Sequence, residues 1–284
     1  MSLPDPTPRA ISPTTALCGI VLHPAGHTRS PAMHNAAFAA LGVDAAYLAF
    51  DVAPADLPGA VAGMRALGIR QLAVSIPHKV AIMELLDEVD ETASRIGAVN
   101  TVTLRDGRLL GSNTDHLGVT ASLEAETRLE GRRAVVLGAG GAARAAVWGL
   151  GQRGAEVVVL NRTVARAQEL AQSLGAAGAG GLDDFADTPH DVLVNTTSVG
   201  LRSDESPVDA GALRQGSVVM DAVYDPARTR LLEDAEAAGA RTIGGKWWLI
   251  HQAARQLQLW TGREAPIDVM AEAFDRAASG ESSG

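Results

Sequence analysis

Val135-Val136-Leu137-Gly138-Ala139-Gly140-Gly141-Ala142-Ala143-Arg144-Ala145 is the stretch on which the reading of this chain turns. An apolar, β-type run passes directly into Gly-x-Gly-x-x-Ala and then into an Ala-rich helical pattern, the context in which that glycine spacing has a physical meaning. Gly138 can take the sharp turn, Gly140 removes the Cβ that would obstruct a pyrophosphate, and Ala143 is small enough for close helix-strand packing. The free N–H groups at the start of the helix then face the phosphates. The stretch reads as a dinucleotide-binding turn, and a second apolar run, Glu156 to Leu160, follows the helix.

At the end of that second run an NAD-binding domain carries an acid that holds the ribose 2′-hydroxyl. Here the segment is Asn161-Arg162-Thr163-Val164-Ala165-Arg166. Asn161 is neutral, Thr163 can cap the next helix, and Arg162 and Arg166, four residues apart, can bracket a dianion at its N-terminus. The cofactor read from these residues is NADP rather than NAD, against the plainer reading of two solvated arginines on a helix start.

A chain of 284 residues, 46% hydrophobic and 20% charged, has the composition of an ordinary globular protein of one or two domains. Its net charge of −9 argues against nucleic acid or an anionic membrane as partner, so its anion-binding groups are local exceptions. The single cysteine, Cys18, lies in the apolar run Ala16 to Leu22 and reads as a buried, unreactive thiol. His27 and His34 have no carboxylate or thiol close by in the sequence, so no metal is expected. Residues 1–15 read as a flexible arm rather than a signal peptide, and Ser279 to Gly284 as a frayed tail. No run approaches membrane-spanning length, and the cytoplasm is the expected location.

Ahead of residue 115, β-type runs (17–22, 46–50, 71–76, 98–104) alternate with helical ones (31–41, 55–67, 79–86), which predicts an α/β layer with mostly parallel strands. Beyond it, strands are expected near 133–137, 156–160, 191–194 and 217–221, and the stretch Gly175 to Gly181 is read as a loop. Helices over 246–260 and 266–278 follow the last of those strands and can pack back on the first domain.

Three stretches could do chemistry. In Thr28-Arg29-Ser30-Pro31, Ser30 suits an N-cap and Pro31 the first helical position, while Thr28 and Ser30 together suit a small carboxylate at a positive helix end. Lys79 ends Val74-Ser75-Ile76-Pro77-His78-Lys79, at the C-terminal edge of a buried-looking strand, and is either a catalytic group or an exposed helix-start lysine. Asp115, after Gly111-Ser112-Asn113-Thr114, is either the N-cap of the next helix or a partner that sets the protonation of Lys79.

Taken in order, the motifs resemble the shikimate dehydrogenase family over about residues 17–275. They are His27-Thr28-Arg29-Ser30-Pro31 with His34-Asn35, Ser75-Ile76-Pro77-His78-Lys79, Gly97-Ala98-Val99-Asn100-Thr101 and Asn113-Thr114-Asp115. The Gly138 turn, Asn161-Arg162-Thr163, Asn195-Thr196-Thr197-Ser198-Val199-Gly200 and Gln252 complete the set. The resemblance implies an α/β chain with an N-terminal substrate domain (16–115), a Rossmann-type NADP domain (116–245) and C-terminal helices (246–278) returning to the first. It implies reversible NADP-dependent interconversion of 3-dehydroshikimate and shikimate. On it, Lys79 and Asp115 match the catalytic pair, Thr28 and Ser30 the carboxylate site, and Ser75, Asn100 and Gln252 the ring-hydroxyl ligands. Tyr224 matches a tyrosine near the substrate, Gly245 lies near the nicotinamide, and Gly138, Gly140, Gly141, Ala142, Thr197 and Ser198 join Asn161, Arg162, Thr163 and Arg166 on the cofactor. A small-molecule substrate is the partner so implied, with a homodimer open as the assembly.

The chain departs from the family pattern at four places: Thr28 where many members have Ser, Ser75 for Thr, Ala73 for Asn and Trp248 for Met. Quinate or an amino analogue of shikimate competes with shikimate on that account, as does an NADP-sensing protein that kept the fold without turnover.

Overall fold

The computed structural model describes residues 11–26 and 28–279, so His27, most of the expected arm and nearly all of the expected tail lie outside the described residues. In chain order the structure begins with β1 (Ala16–Leu22), α1 (Ser30–Leu41), β2 (Ala45–Asp51), α2 (Leu57–Ala66), β3 (Gln71–Val74), β4 (Glu88–Val89) and α3 (Glu91–Ile96). It continues through β5 (Thr101–Arg105), β6 (Arg108–Ser112), α4 (Asp115–Glu124), β7 (Arg133–Leu137), α5 (Gly141–Gln152), β8 (Glu156–Leu160), α6 (Val164–Leu174) and β9 (Gly178–Gly180). It ends with β10 (Val192–Asn195), β11 (Val218–Asp221), α7 (Arg230–Ala237), β12 (Arg241–Ile243), α8 (Gly245–Thr261) and α9 (Ile267–Ser279).

Two compact units share these elements: residues up to Ser94, Ala98–Thr114 and Ala253 onward form one, and Arg95–Gly97 with Asp115–Gln252 the other. In the first, six strands run in the order β2-β1-β3-β5-β6-β4. The parallel pairing expected from the sequence holds among β1, β2 and β3, but β5 is antiparallel to both β3 and β6. The reversal has a local cause, since β5 and β6 are joined by Asp106 (φ 50°) and Gly107 (φ 75°), and two consecutive positive-φ residues match the right-handed twist of a hairpin. Leu72 and Val74 of β3 enter a core with Val21, Leu57, Met64 and Leu109, while α1 packs on α9.

The expected helix over 79–86 is instead a turn followed by a 3₁₀ segment, Ala81–Leu85. Ile82 N–H makes one i→i−4 bond to the His78 carbonyl (3.0 Å), but the Lys79 carbonyl accepts from Val99 N–H (2.8 Å) and Met83 N–H bonds back three residues to Val80 (3.2 Å), so the i→i−4 ladder goes no further. Nor is the whole arm loose, because the Thr14 and Thr15 hydroxyls donate to Asp44 (3.1 and 3.0 Å).

The second unit holds six parallel strands in the order β12-β11-β10-β7-β8-β9, the doubly wound arrangement whose order reverses between β7 and β10. Both faces are covered: Ala134 and Val136 of β7 point into one core, and Val135 and Leu137 into the other. The Gly175–Gly181 stretch is not a loop throughout, since Gly178–Gly180 is an edge strand that pairs with Val158–Leu160. Nor does the strand at 217–221 close the sheet; α7 and β12 extend it by one more strand. Among the described residues no helix is long and apolar enough to cross a membrane.

Candidate active site

In the second unit the nucleotide residues follow the C-terminal ends of its strands. Gly138 leaves β7 with φ 110°, and a Cβ there would stand 2.6 Å from Thr196 Oγ1, so the turn requires glycine. Gly140 has nothing within 4 Å of its Cβ position. It is the N-cap of α5 without a capping side chain, and the first turn, which begins with Gly141 and Ala142, contains no acid. A helix start with free donors, open space and no competing carboxylate fits a pyrophosphate.

At the end of β8, Asn161 N–H donates to the Gly180 carbonyl (3.1 Å) and its side-chain amide to the Thr163 carbonyl (3.0 Å). Thr163 is the N-cap of α6 by position, yet its hydroxyl makes no capping bond, which corrects the role read from the sequence. The Asn161 amide shapes the turn instead. Arg162 and Arg166 are exposed, no acid lies in the first turn of α6, and neither arginine is ion-paired among the described residues. Two unpaired guanidinium groups beside a neutral Asn161 fit a 2′-phosphate.

After β10, the Asn195 side chain fixes the next turn: its oxygen accepts from Thr197 N–H (3.0 Å) and Thr197 Oγ1 (2.8 Å), leaving Ser198 exposed. The Asn195 amide donates to Asp221 Oδ1 (2.9 Å), and Thr229 Oγ1 donates to Asp221 Oδ2 (2.7 Å). Burial pushes the Asp221 carboxyl up to about 6 despite these donors. This Asn195-Asp221-Thr229 network ties the loop after β10 to the one bearing Tyr224, and nothing in the sequence reading assigned it. Gly245 starts α8 against the carbonyls of Ala222 and Val223, the latter 2.7 Å from where a Cβ would be. Its absence of a side chain is a packing requirement, whatever else the position does.

Trp248, on the same helix, is buried, and its indole N–H donates to the Asp115 backbone carbonyl (3.0 Å). Gly118 makes this possible, since a Cβ there would lie 2.7 Å from Trp248 Cδ1. Gln252 is buried on α8, and its amide donates to the Leu249 carbonyl (2.9 Å).

In the first unit the expected substrate residues gather at one sheet edge, where β1 and β3 end and β5 begins. Ser75 N–H donates to the Val21 carbonyl (3.0 Å) and Val74 N–H to the Asn100 carbonyl (2.8 Å), binding these strand ends together. Thr28 Oγ1 donates to Ser30 Oγ (3.3 Å) and accepts from Ser30 N–H (3.3 Å). Ser30 is the first residue of α1 rather than its cap; Arg29 takes the N-cap position without a capping bond from its side chain, and the Thr28 hydroxyl satisfies the N–H of Ser30 itself.

Asn100 is the centre of this edge, 1% exposed. Its amide donates to Thr114 Oγ1 (2.9 Å), and its oxygen accepts from Thr114 N–H (2.8 Å) and Thr101 Oγ1 (2.8 Å). Thr114 is the residue before Asp115, so the chain that carries Asp115 is pinned to Asn100. The neighbouring Val99 N–H holds the Lys79 carbonyl (2.8 Å), so the chain at Lys79 is anchored beside Asn100 too. Asp115 is buried and begins α4 as its first residue rather than capping it from outside. Ala73, 5% exposed, pairs with Thr101 on β5.

Cys18 is buried, and burial pushes its thiol up to about 12, so it is inert. Among the described residues no group of three or more His, Cys, Asp or Glu could hold a metal ion.

Three family models match in sequence order. The shikimate dehydrogenase substrate binding domain covers residues 20–102, shikimate / quinate 5-dehydrogenase residues 120–200, and the shikimate 5′-dehydrogenase C-terminal domain residues 249–273. The chain is 48% identical to the shikimate dehydrogenase (NADP(+)) of Methanopyrus kandleri, across 93% of this chain and 96% of that one. It is similar to the structure of shikimate 5-dehydrogenase from Thermus thermophilus in complex with NADP(H) and shikimate, with a TM-score of 0.87 and 39% identity over 92% of this chain and 99% of that one. It is also similar to ligand-free 5-ketofructose reductase of Gluconobacter sp. strain CHM43, with a TM-score of 0.85 and 35% identity over 94% and 100% of the two chains.

Proposed function

The chain belongs to the shikimate dehydrogenase family, and from that premise we propose that it interconverts 3-dehydroshikimate and shikimate with NADP, using Lys79 and Asp115 as its proton-handling pair. The observation that carries the reading is the anchoring of Lys79 through Val99, and of Asp115 through Thr114, to the segment around Asn100. Of the residues proposed for the substrate, Thr28, Ser30, Ser75 and Asn100 belong to the first unit and Tyr224 and Gln252 to the second, which also carries the residues proposed for NADP. The similar 5-ketofructose reductase is named for another carbonyl substrate, but the Methanopyrus relative and the shikimate complex favour shikimate over quinate or an amino analogue.

NADP supplies the hydride acceptor, or in its reduced form the donor, when bound. Thr28 and Ser30 hold the substrate carboxylate through two hydroxyls at the start of α1, Ser75, Asn100 and Gln252 orient the ring hydroxyls, and Tyr224 is a further substrate-binding residue. Lys79 Nζ takes or returns the proton of the hydroxyl that becomes the ketone, and the Asp115 carboxylate pairs with the lysine and sets its protonation. A positioned pair of this kind contributes about 10²- to 10⁴-fold. On the cofactor side, Gly138, Gly140, Gly141 and Ala142 cradle the pyrophosphate, Thr197 and Ser198 line its approach, and Gly245 lies near the nicotinamide. Asn161, Arg162, Thr163 and Arg166 take the adenosine 2′-phosphate.

The test is the turnover of Lys79→Ala and Asp115→Ala in purified protein, with NADP affinity measured in parallel. Each is expected to lose about 10²-fold or more in kcat with NADP affinity nearly intact, and the double variant to lose little more than the worse single one. Wild-type turnover in either variant removes the pair from the mechanism.

A further inference from the structure

The nucleotide residues occupy the C-terminal edge of the second unit's sheet. At the opposite edge, where β7, β11 and β12 begin, lies a cavity of about 270 Å³. It is lined by Arg132, Arg133, Arg214 and Arg241 with Asp191 as its only acid, in a chain whose net charge is −9. Asp191 is already committed: it accepts from Arg133 N–H (2.9 Å) and pairs with the Arg133 guanidinium (3.4 Å). Arg241 pairs with Glu126 (3.7 Å) outside the cavity lining. Arg132 and Arg214 have neither a hydrogen bond nor an ion pair to their guanidinium groups among the described residues. Several like charges held around one cavity repel one another unless an anion joins them.

A second observation comes from His190, which lines the same cavity and is 3% exposed. Its Nδ1 lies 3.1 Å from the Thr188 carbonyl and its Nε2 is buried without a hydrogen-bond partner. Burial holds this imidazole below the usual histidine range, so the neutral ring donates from Nδ1 to Thr188 and is left with an acceptor lone pair at Nε2. A buried nitrogen left without a donor is unfavourable, which makes it the kind of group a ligand hydroxyl satisfies.

We propose that this cavity is an anion site distinct from the dinucleotide turn, and that its ligand is a compact phosphomonoester. The arginines match phosphate oxygens with planar forks. A phosphomonoester whose carbon skeleton carries a free hydroxyl can donate it to His190 Nε2 while the arginines hold its dianionic phosphate, which malonate, with two carboxylates and no hydroxyl, cannot do. The volume suits a small phosphorylated metabolite and is too small for a dinucleotide.

The experiment is isothermal titration of the full chain, saturated with NADP so that the dinucleotide turn is filled, at fixed ionic strength so that screening is constant. The probes are glycerol 3-phosphate and malonate. Saturable binding is expected, with glycerol 3-phosphate preferred. An Arg132→Glu, Arg214→Glu double variant should weaken it by at least about tenfold, and His190→Phe should bring the two probes within about twofold of each other. NADP affinity should be unchanged in both variants, which verifies that the unit is folded. No saturable binding in the wild type, undiminished binding in the charge-reversed variant, tighter binding of malonate, or a phosphate preference that survives His190→Phe would each overturn the proposal.

Discussion

The nucleotide edge of the second unit is built by leaving side chains out, whereas the substrate edge of the first is built by pairing side chains with one another. Gly138 and Gly140 clear space before α5, and the donors there are backbone N–H groups that no side chain caps among the described residues. Around Asn100 the arrangement is the reverse: side-chain amide and hydroxyl groups satisfy each other in a buried cluster that also sets where Lys79 and Asp115 leave the sheet. A backbone-made site is insensitive to most polar substitutions and vulnerable to added bulk. A side-chain-made site tolerates little loss of a polar group, since each deletion strands a buried partner.

That contrast can be broken at several points. Asn100→Ala removes at least three side-chain hydrogen bonds at once and should lower unfolding stability by about 3–4 kcal/mol in urea titration, leaving the NADP affinity of the folded fraction within about twofold. A comparable loss of NADP affinity would mean that the two edges are not independent. Gly138→Ala acts on the other side: a Cβ near Thr196 at a φ of 110° should weaken NADP by about 10²-fold in a fluorescence titration. Unchanged binding would show that empty space is not what the turn requires.

Smaller effects sharpen the comparison. Arg162→Ala should weaken NADP by about 1.5–3 kcal/mol and leave NAD nearly unaffected, because only the 2′-phosphate distinguishes them. Equal losses would place Arg162 away from that phosphate. Trp248→Phe keeps the aromatic bulk against Gly118 and deletes only the N–H that holds the Asp115 carbonyl. It should cost about 0.5–1.5 kcal/mol, read as a two- to tenfold fall in kcat with the NADP dissociation constant unmoved. A shift in NADP affinity with no change in kcat would make Trp248 a nucleotide-side residue.

The same contrast explains what was legible in the sequence. An absent side chain leaves a spacing pattern, so the Gly138 turn, its strand and its helix can be read directly. Arg162 and Arg166 were legible as charges that replace an acid. Residues 97–101 and 111–115 bracket a short pair of β-type runs whose polar tips can converge, and the Asn100-Thr114 bonds bear that out; the pairing itself is set when the β5–β6 hairpin closes and puts Asn100 N–H on the Ser112 carbonyl. That hairpin turns at Asp106-Gly107, against the mostly parallel layer that the alternation of runs predicts. β9 had no side-chain signal to read, since Gly178-Ala179-Gly180 forms a strand only by backbone pairing with β8. Ser30 and Thr163 show a limit of capping rules: both sit at helix starts, and in each case a neighbouring side chain, Thr28 or Asn161, supplies the bond that sets the turn.

NADP-dependent oxidation of shikimate is tested most directly by the initial rate of nicotinamide reduction by the wild-type chain. Shikimate and quinate are each supplied with NADP and with NAD. The predicted result is a kcat/KM for shikimate with NADP that exceeds every other combination by at least about tenfold, equivalent to ~1.4 kcal/mol of transition-state discrimination. No reduction with shikimate, or a rate with NAD that equals or exceeds the rate with NADP, would contradict it.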